Sequence, residues 1–174
     1  MKSAPTTSPY RIRAITDVDR EALTQFYADL SPESFEARFH GAAAGIGMPV
    51  ARYLCGPDHD HREGIVAEAT EADGRIAIIG HVCIEPTCLD SAEMAIAVAD
   101  GWQRHGVGSA MLAEAIIWAR GHGLTKLIAS MRWGNTAILG LVESTGCPVT
   151  FGDADGGIVD AIVDLSGVTV SHAA

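Results

Sequence analysis

One junction constrains this chain more than any other feature: an apolar segment runs into a glycine-rich turn, and an apolar helix pattern follows at once. Residues 92–98 are apolar apart from Glu93, and Gln-x-x-Gly-x-Gly occupies residues 103–108. The start of a helix has unpaired N–H groups and the positive end of the helix dipole, so it attracts a phosphate or pyrophosphate. Glycines let the backbone approach such an anion closely. The pattern therefore predicts an anion-binding turn between a strand and a helix.

Two common nucleotide-binding motifs do not match this turn. A dinucleotide fold needs Gly-x-Gly-x-x-Gly in its first strand–helix unit, whereas this turn is central in the chain and Met111 occupies the third glycine position. A Walker motif needs Gly-Lys-Ser or Gly-Lys-Thr, and the sequence contains neither. A short pyrophosphate loop that needs no metal fits better. A Rossmann-type nucleotide binder and a plain strand-to-helix turn are the alternatives.

Charge and hydropathy limit the classes of partner. The 174 residues have a formal net charge of −10, and the basic residues are few and scattered, so no nucleic acid partner is expected. An acidic chain suits a cationic acceptor such as an amine, and it equally suits plain solubility. No apolar run reaches the roughly 18 residues that span a bilayer, so no membrane partner is expected either.

The four cysteines and the N-terminal residues bear on compartment and domain organisation. No Cys-x-x-Cys pair occurs, and the spacing suggests neither a zinc site nor a disulfide framework, which is typical of a cytoplasmic protein. Residues 1–9 have one lysine and no apolar core, so we expect a disordered tail rather than a secretory signal. Residues 10–174 are then expected to form a single domain.

The segment Asp58-His59-Asp60-His61 is the one candidate metal site. Imidazoles two residues apart beside two carboxylates could bind zinc. However, the segment reads as a polar turn, and no distant pair of cysteines or histidines completes a ligand set. We therefore expect no metal.

Hydrophobic periodicity predicts the order strand, helices, three strands, helix, strand, helix, two strands. The predicted strands cover residues 10–15, 65–70, 75–85, 93–98, 124–131, 148–151 and 158–165. The predicted helices cover residues 18–30, 31–39, 49–54, 106–122 and 135–145, with a small-residue loop over 41–47. Asp17 and Ser31 are expected to cap the first two helices, and Pro86 to end the third strand. This order indicates an α/β (α+β) protein with one mixed sheet and helices on both faces.

The element order and the turn Gln103-x-x-Gly106-x-Gly108 resemble the GNAT superfamily of acyl-CoA-dependent N-acetyltransferases, over residues 10–165. The resemblance implies the GNAT fold, in which the central mixed sheet is mostly antiparallel. Three pieces look closer to the acetyltransferase domain of bacterial protein-lysine acetyltransferases. These are Leu30–Ser34 with Arg38-Phe39, then Ala92-Glu93, and Asp100-x-Trp102-Gln103-x-x-Gly106-x-Gly108. In that group the domain is often fused to a regulatory or synthetase-like domain, which we do not expect here. A homodimer and a separate regulatory partner stay open.

The resemblance places the general base of the reaction at Glu93. A lysine-like amine has a pKa of about 10.4, so removing its proton at neutral pH costs roughly 4–5 kcal/mol. A carboxylate on a strand in the middle of the sheet can accept that proton directly or through a water. The alternative is a strand-end glutamate that faces solvent or pairs with an arginine.

The resemblance also implies how acetyl-CoA would bind. The main chain of Ile96–Val98 would hold the pantetheine arm as an added strand would, and one of its N–H groups would stabilise charge on the thioester carbonyl. Asn135 has the sequence position of a helix N-cap and is expected to contact the arm as well. The predicted acetyl-CoA-binding residues are Ile96, Ala97, Val98, Gln103, Arg104, His105, Gly106, Val107, Gly108, Ser109 and Asn135.

The proton donor for the departing thiolate has no candidate from the sequence. Many GNAT enzymes use a tyrosine on the helix that residues 135–145 would form, but this segment has none. Val142 occupies the expected position, and Ser144 is the nearby hydroxyl of interest. Water could serve instead, because a CoA thiol is comparatively acidic.

The expected function is therefore direct acetyl transfer from acetyl-CoA to a primary amine, with a protein lysine as the first acceptor. A small amine or amino acid is the close alternative. A non-catalytic acyl-CoA-binding sensor module is the alternative from another class.

Overall fold

Seven strands form one mixed sheet in the computed structural model, which describes residues 8–40 and 45–167. Neighbouring strands follow the order β1-β2-β3-β4-β5-β7-β6. Strands β4 and β5 run parallel and the other neighbours antiparallel, which confirms a mixed, mostly antiparallel sheet. The strands are β1 (Tyr10–Ala14), β2 (Glu63–Thr70), β3 (Ile76–Cys88), β4 (Ser91–Val98), β5 (Lys126–Arg132), β6 (Val149–Phe151) and β7 (Ile158–Asp164).

Helices cover both faces of the sheet, as the sequence predicts. They are α1 (Arg20–Ala28), α2 (Pro32–Phe39), α3 (Met48–Leu54), α4 (Val107–Gly121) and α5 (Thr136–Glu143). Helices α1 to α3 bury side chains such as Leu23 and Phe35 against one face, and α4 and α5 bury Met111 and Val142 against the other. Burying each such side chain contributes about 1.5–3 kcal/mol. Among residues 8–40 and 45–167, no helix has the length and apolarity needed to cross a bilayer.

Strand β4 shows why its sequence is almost continuously apolar. Ala92 and Met94 lie in the core beneath α4 and α5, whereas Ala95 and Ala97 pack in the core beneath α1 and α2. Since both faces of the strand are covered, neither face needs polar residues. Glu93 is the exposed exception in this run.

Strands β4 and β5 separate after a short paired stretch. Their pairing runs from Ser91 opposite Lys126 to Glu93 opposite Ile128 and then ends. On its other side β4 stays paired with β3 as far as Val98. The second half of β4 therefore offers its main chain to an opening in the middle of the sheet.

One strand end differs from the prediction. Pro86 does not end β3, which continues to Cys88. Strand β2 pairs with β3 only as far as Ile84, so β3 has an open edge at Pro86. A residue without an N–H group is tolerated at such an edge.

The start of the first helix also differs. Asp17 lies within a 3₁₀ turn, Asp17–Asp19, that precedes α1, and the capping position belongs to Thr16. The carboxylate of Asp19 accepts hydrogen bonds from the N–H and the hydroxyl of Thr16, which explains the early turn. Residues 1–7 of the expected tail and residues 41–44 of the expected loop lie outside the described residues.

Candidate active site

A cleft of about 820 Å³ lies along the second half of β4, where β4 no longer pairs with β5. It is bounded by α2, the second half of β4, the glycine turn before α4, and α5. Nine of the eleven predicted acetyl-CoA-binding residues line it: Ile96, Ala97, Val98, Gln103, Arg104, Gly106, Gly108, Ser109 and Asn135. The sequence pattern therefore located one continuous surface.

The side chains of the other two predicted residues lie elsewhere. Val107 is fully buried in the core, so only its main chain faces the turn. The exposed imidazole of His105 has Nδ1 2.9 Å from the carbonyl oxygen of Gln103, and its ring meets the edge of Trp102. Trp102 also packs edge-on against Tyr10, which anchors the turn on the first strand.

The glycine turn has the geometry of an anion site. Gly106 precedes α4 with a φ of 83°, a left-handed conformation that strains other residues. The first N–H groups of α4 have no intrahelical acceptor and carry the positive end of the helix dipole. A Cβ at Gly108 would meet Val98 and Leu141 at 3.6 Å, an ordinary contact distance. Packing within the protein therefore does not require glycine at position 108. The close approach of a ligand to the backbone would require it.

A polar cluster that the sequence did not reveal ties this turn to α2. Asp100 accepts hydrogen bonds from the N–H and hydroxyl of Ser31, both at 2.8 Å, and from the Ser34 hydroxyl at 2.6 Å. Gln103 donates to Ser34 Oγ at 3.0 Å and to the Val98 carbonyl at 3.2 Å. Burial alone would raise the pKa of Asp100, but these hydrogen bonds hold it below its ordinary value. We call these four residues, Ser31, Ser34, Asp100 and Gln103, the clamp.

The start and end of α5 complete the cleft. Asn135 caps the helix as predicted, because its side-chain oxygen accepts a hydrogen bond from the Ile138 N–H at 3.2 Å. Val142 is fully buried. The hydroxyl of Ser144 lines the cleft but donates to the Leu141 carbonyl at 2.6 Å. Its proton is therefore engaged within the helix.

Glu93 stands where β4 and β5 begin to separate, since its pairing with Ile128 is the last between them. The side chain is exposed and does not line the large cleft. The residue paired with it on β3 is Glu85. The Glu85 carboxylate accepts hydrogen bonds from Nε and Nη2 of Arg62 at 2.7 and 2.8 Å. Within residues 8–40 and 45–167, the Glu93 carboxylate has no hydrogen bond or ion pair. It is available as a proton acceptor.

Arg38 is the cation of this region, and sequence reasoning assigned it no role. Arg38 lies on α2 and lines the cleft. It also lines a narrow pocket of about 30 Å³ between β4 and β5, which we call the narrow end. Nη2 donates to Cys83 Sγ at 3.0 Å, and the buried Nε has no partner among the described residues. Burial would lower the pKa of Arg38, but its polar neighbours, first Tyr27 and then Cys83, keep it above the ordinary value. In the sequence, Arg38 could be noticed only as part of the Arg38-Phe39 pair, which belongs to a segment that resembles the protein-lysine acetyltransferases.

His81 lies behind this cation and belongs to the core. It is fully buried, with Nδ1 2.8 Å from the hydroxyl of Tyr27. Burial first, and the charge of Arg38 second, lower the pKa of His81 to about 3. The imidazole is therefore neutral at ordinary pH and does not face the open cleft.

The Asp58 to His61 segment forms a hydrogen-bonded turn. One oxygen of Asp58 accepts from the N–H groups of Asp60, His61 and Arg62. His59 lies 2.6 Å from a carboxylate oxygen of Glu63. In the part of the chain that the structure describes, no group of three or more histidine, cysteine or acidic residues is arranged to bind a metal.

Comparison with known proteins agrees with this geometry. The family model for the acetyltransferase (GNAT) family matches residues 12–146. The GNAT domain of S. lividans PAT is 27% identical, with a TM-score of 0.77 over 89% of this chain and 90% of that one. The structure of yncA, a putative acetyltransferase from Salmonella typhimurium with its cofactor acetyl-CoA, is 19% identical, with a TM-score of 0.68 over 96% of this chain and 100% of that one.

A third structure shares the fold at lower identity. It is a GNAT superfamily phosphinothricin acetyltransferase from Sinorhizobium meliloti in complex with AcCoA, 14% identical, with a TM-score of 0.68 over 88% of this chain and 86% of that one. Since the family model covers well over half of the sequence, the chain belongs to the acetyltransferase (GNAT) family and is an enzyme of the N-acetyltransferase class.

Proposed function

We propose that this enzyme transfers an acetyl group from acetyl-CoA directly to a primary amine, with a protein lysine side chain as acceptor. One observation carries the proposal: the cleft has the start of α4 and its glycine turn at the wide end, and the carboxylate of Glu93, unpaired among the described residues, lies where the pairing of β4 and β5 ends. This arrangement would hold a phosphorylated acyl donor at one end and remove a proton at the other.

The donor side of the proposal rests on the cleft. Gly106, Gly108 and the first amides of α4 would bind the pyrophosphate, with Arg104 adding charge at the rim. The main chain of Ile96–Val98 has no strand partner on its β5 side and would pair with the pantetheine arm. Acetyl-CoA supplies an activated thioester, and the protein supplies position.

The acceptor side rests on Glu93. Its free carboxylate would take the proton that a lysine-like amine must lose, at a cost of roughly 4–5 kcal/mol without a base. Support for a protein lysine comes from the segments that resemble protein-lysine acetyltransferases and from the 27% identity to the GNAT domain of S. lividans PAT. A small amine is the second candidate, because a phosphinothricin acetyltransferase has the same fold.

The decisive experiment compares Glu93→Gln with Glu85→Gln. Acceptors would be screened on peptide, protein and polyamine panels. We expect Glu93→Gln to bind acetyl-CoA normally and to lose about 10²–10⁴ in kcat, and the loss should shrink as rising pH deprotonates more amine. Glu85→Gln, which changes the paired carboxylate on the adjacent strand, should keep kcat within several-fold.

Three outcomes would contradict this assignment. Near-normal turnover of Glu93→Gln at neutral pH would exclude Glu93 as the base. Loss of acetyl-CoA affinity in that variant would make Glu93 a structural residue. Acetyl-CoA binding by the wild-type protein without acetyl transfer to any acceptor would favour the acyl-CoA sensor.

A further inference from the structure

The proposed reaction releases a thiolate, and in the described part of the chain neither a tyrosine nor the Ser144 hydroxyl is in place to give it a proton. None of the described residues that line the cleft is a tyrosine. Ser144 lines it, but its hydroxyl already donates to a backbone carbonyl. The sulfur therefore needs another source of stabilisation.

The narrow end of the opening is where that sulfur would lie. The wide cleft follows Ile96–Val98 of β4, whereas the narrow end reaches back along the strand to Met94. At about 3.3 Å per residue, the distance from Val98 to Met94 is roughly 13 Å. An arm that starts at the glycine turn and follows β4 thus ends beside Arg38, which lines both parts.

Among the described residues Arg38 forms no direct ion pair, although the charge of Glu93 lies near enough to help raise its pKa. One of its donors bonds to the neutral sulfur of Cys83, and another, Nε, is buried without a partner. A guanidinium in such surroundings favours the arrival of an anion. The phosphates of the donor would be held at the other end, whereas the sulfur anion that the reaction creates would form beside these donors.

We propose that Arg38 is a catalytic residue that stabilises the sulfur anion of coenzyme A as it leaves. This rests on the proposed function. Glu93 first relays the ammonium proton of the acceptor to solvent. The neutral amine nitrogen then forms the new bond to the acyl carbon, and the second proton that it loses passes to Glu93. The carbon–sulfur bond breaks, and its electron pair remains on sulfur opposite the guanidinium. Arg38 donates hydrogen bonds but keeps its protons, so the thiolate is protonated by solvent after release.

The other polar groups around this point are few. Glu93 on β4 repels a thiolate while it is ionised, and this repulsion ends when Glu93 accepts the proton of the amine. Tyr27 on α1, and His81 and Cys83 on β3, are neutral at ordinary pH because burial raises the pKa of Tyr27 and Cys83 and lowers that of His81. Ser130 on β5 donates to Asp160 of β7 at 2.6 Å. The cationic group at the narrow end is Arg38.

The test uses the free product, coenzyme A, together with desulfo-coenzyme A, which has no thiol. The pKa of the bound thiol is read from thiolate absorbance, and both affinities are measured from about pH 6.5 to about pH 9.5. The reference is the thiol pKa of free coenzyme A, read from the same absorbance. A free cysteine side chain, for comparison, has a pKa of about 8.5. We expect wild type to lower the thiol pKa of coenzyme A by about one unit or more, so that its preference for coenzyme A over desulfo-coenzyme A grows up to about tenfold with pH.

Matched variants separate this role from a structural one. Arg38→Gln should abolish the pH-dependent preference while still binding desulfo-coenzyme A, and Arg38→Lys should restore part of it. Arg104→Gln, which removes a cation at the wide end, should weaken both ligands equally and leave the thiol pKa unchanged.

Two results would overturn the inference. One is a bound thiol in wild type that titrates as the free thiol does, which needs no variant to fold. The other is the same lowered thiol pKa in Arg38→Gln as in wild type. Failure of wild type to bind either ligand would instead reject the proposed function.

Discussion

At the scale of single residues, His81 illustrates a group whose effect on stability depends on pH. Its folded pKa of about 3 lies well below the ordinary value of 6.5, so the unfolded chain binds a proton that the folded chain excludes. Its contribution to stability is therefore complete above about pH 6.5 and declines as the pH falls below that value. Between about pH 7.5 and about pH 5, we expect His81 to lower the free energy of unfolding by about 2 kcal/mol.

Urea unfolding at several pH values checks this prediction. His81→Gln and His81→Leu cannot titrate, and both should lose most of the decline in this window. At neutral pH His81→Leu should be the less stable of the two, because it leaves the buried Tyr27 hydroxyl without its partner. A wild-type slope retained in both variants would show that the decline arises elsewhere.

At the scale of elements, the clamp is what joins α2 to the glycine turn. Asp100 accepts three hydrogen bonds from Ser31 and Ser34 as a carboxylate, and its exposure to solvent reduces the strength of each below that of a buried one. Its negative charge would also repel a nearby phosphate. We expect the first effect to prevail, because an exposed charge near the turn is screened by solvent. Asp100→Ala should weaken acetyl-CoA binding about tenfold, equivalent to about 1.4 kcal/mol.

Isothermal titration with acetyl-CoA measures this directly. Asp100→Asn keeps the acceptor oxygen and loses the charge, so it should fall between wild type and Asp100→Ala. Tighter binding by Asp100→Ala than by wild type would mean that repulsion outweighs positioning.

At the scale of the whole molecule, ligand binding should raise the temperature of unfolding. A ligand that binds only the folded state adds about 2.7 kcal/mol at one hundred times its Kd. Gly108→Asp should abolish the rise in melting temperature with acetyl-CoA, because it places bulk and negative charge at the turn. Gly108→Ala should still fold, since its Cβ meets only ordinary contacts, and should show a smaller rise. An unchanged rise in Gly108→Asp would remove the pyrophosphate assignment.

The fold and the donor side of the cleft were predictable because their signals are local in sequence. The turn at residues 103–108, the apolar face of α4 and the Asn135 cap each depend on a few consecutive residues. Periodicity alone yields such elements and their order. The prediction that β3 ends at Pro86 was wrong. Proline is tolerated there because the edge of β3 is open, and this depends on where β2 stops.

The clamp and the position of Arg38 were not predictable in this way. Ser31 and Asp100 meet across 69 positions of sequence, and Arg38 meets Cys83 across 45. Such contacts exist only after α2 has packed on the sheet. The sequence was therefore enough to propose Glu93 and the glycine turn as site residues, whereas the cation at the narrow end required the folded structure.

The separation of β4 and β5 also bears on solubility and aggregation. Unpaired strand edges invite pairing with other chains, and proteins normally cover or disrupt them. Here the unpaired main chain lies in the interior of the sheet, between α2 on one face and α5 on the other. The flanking helices cover this edge, and a slender ligand that entered the cleft would complete its hydrogen bonding. A backbone edge that is open to a ligand is thus set in a place less suited to pairing with another chain.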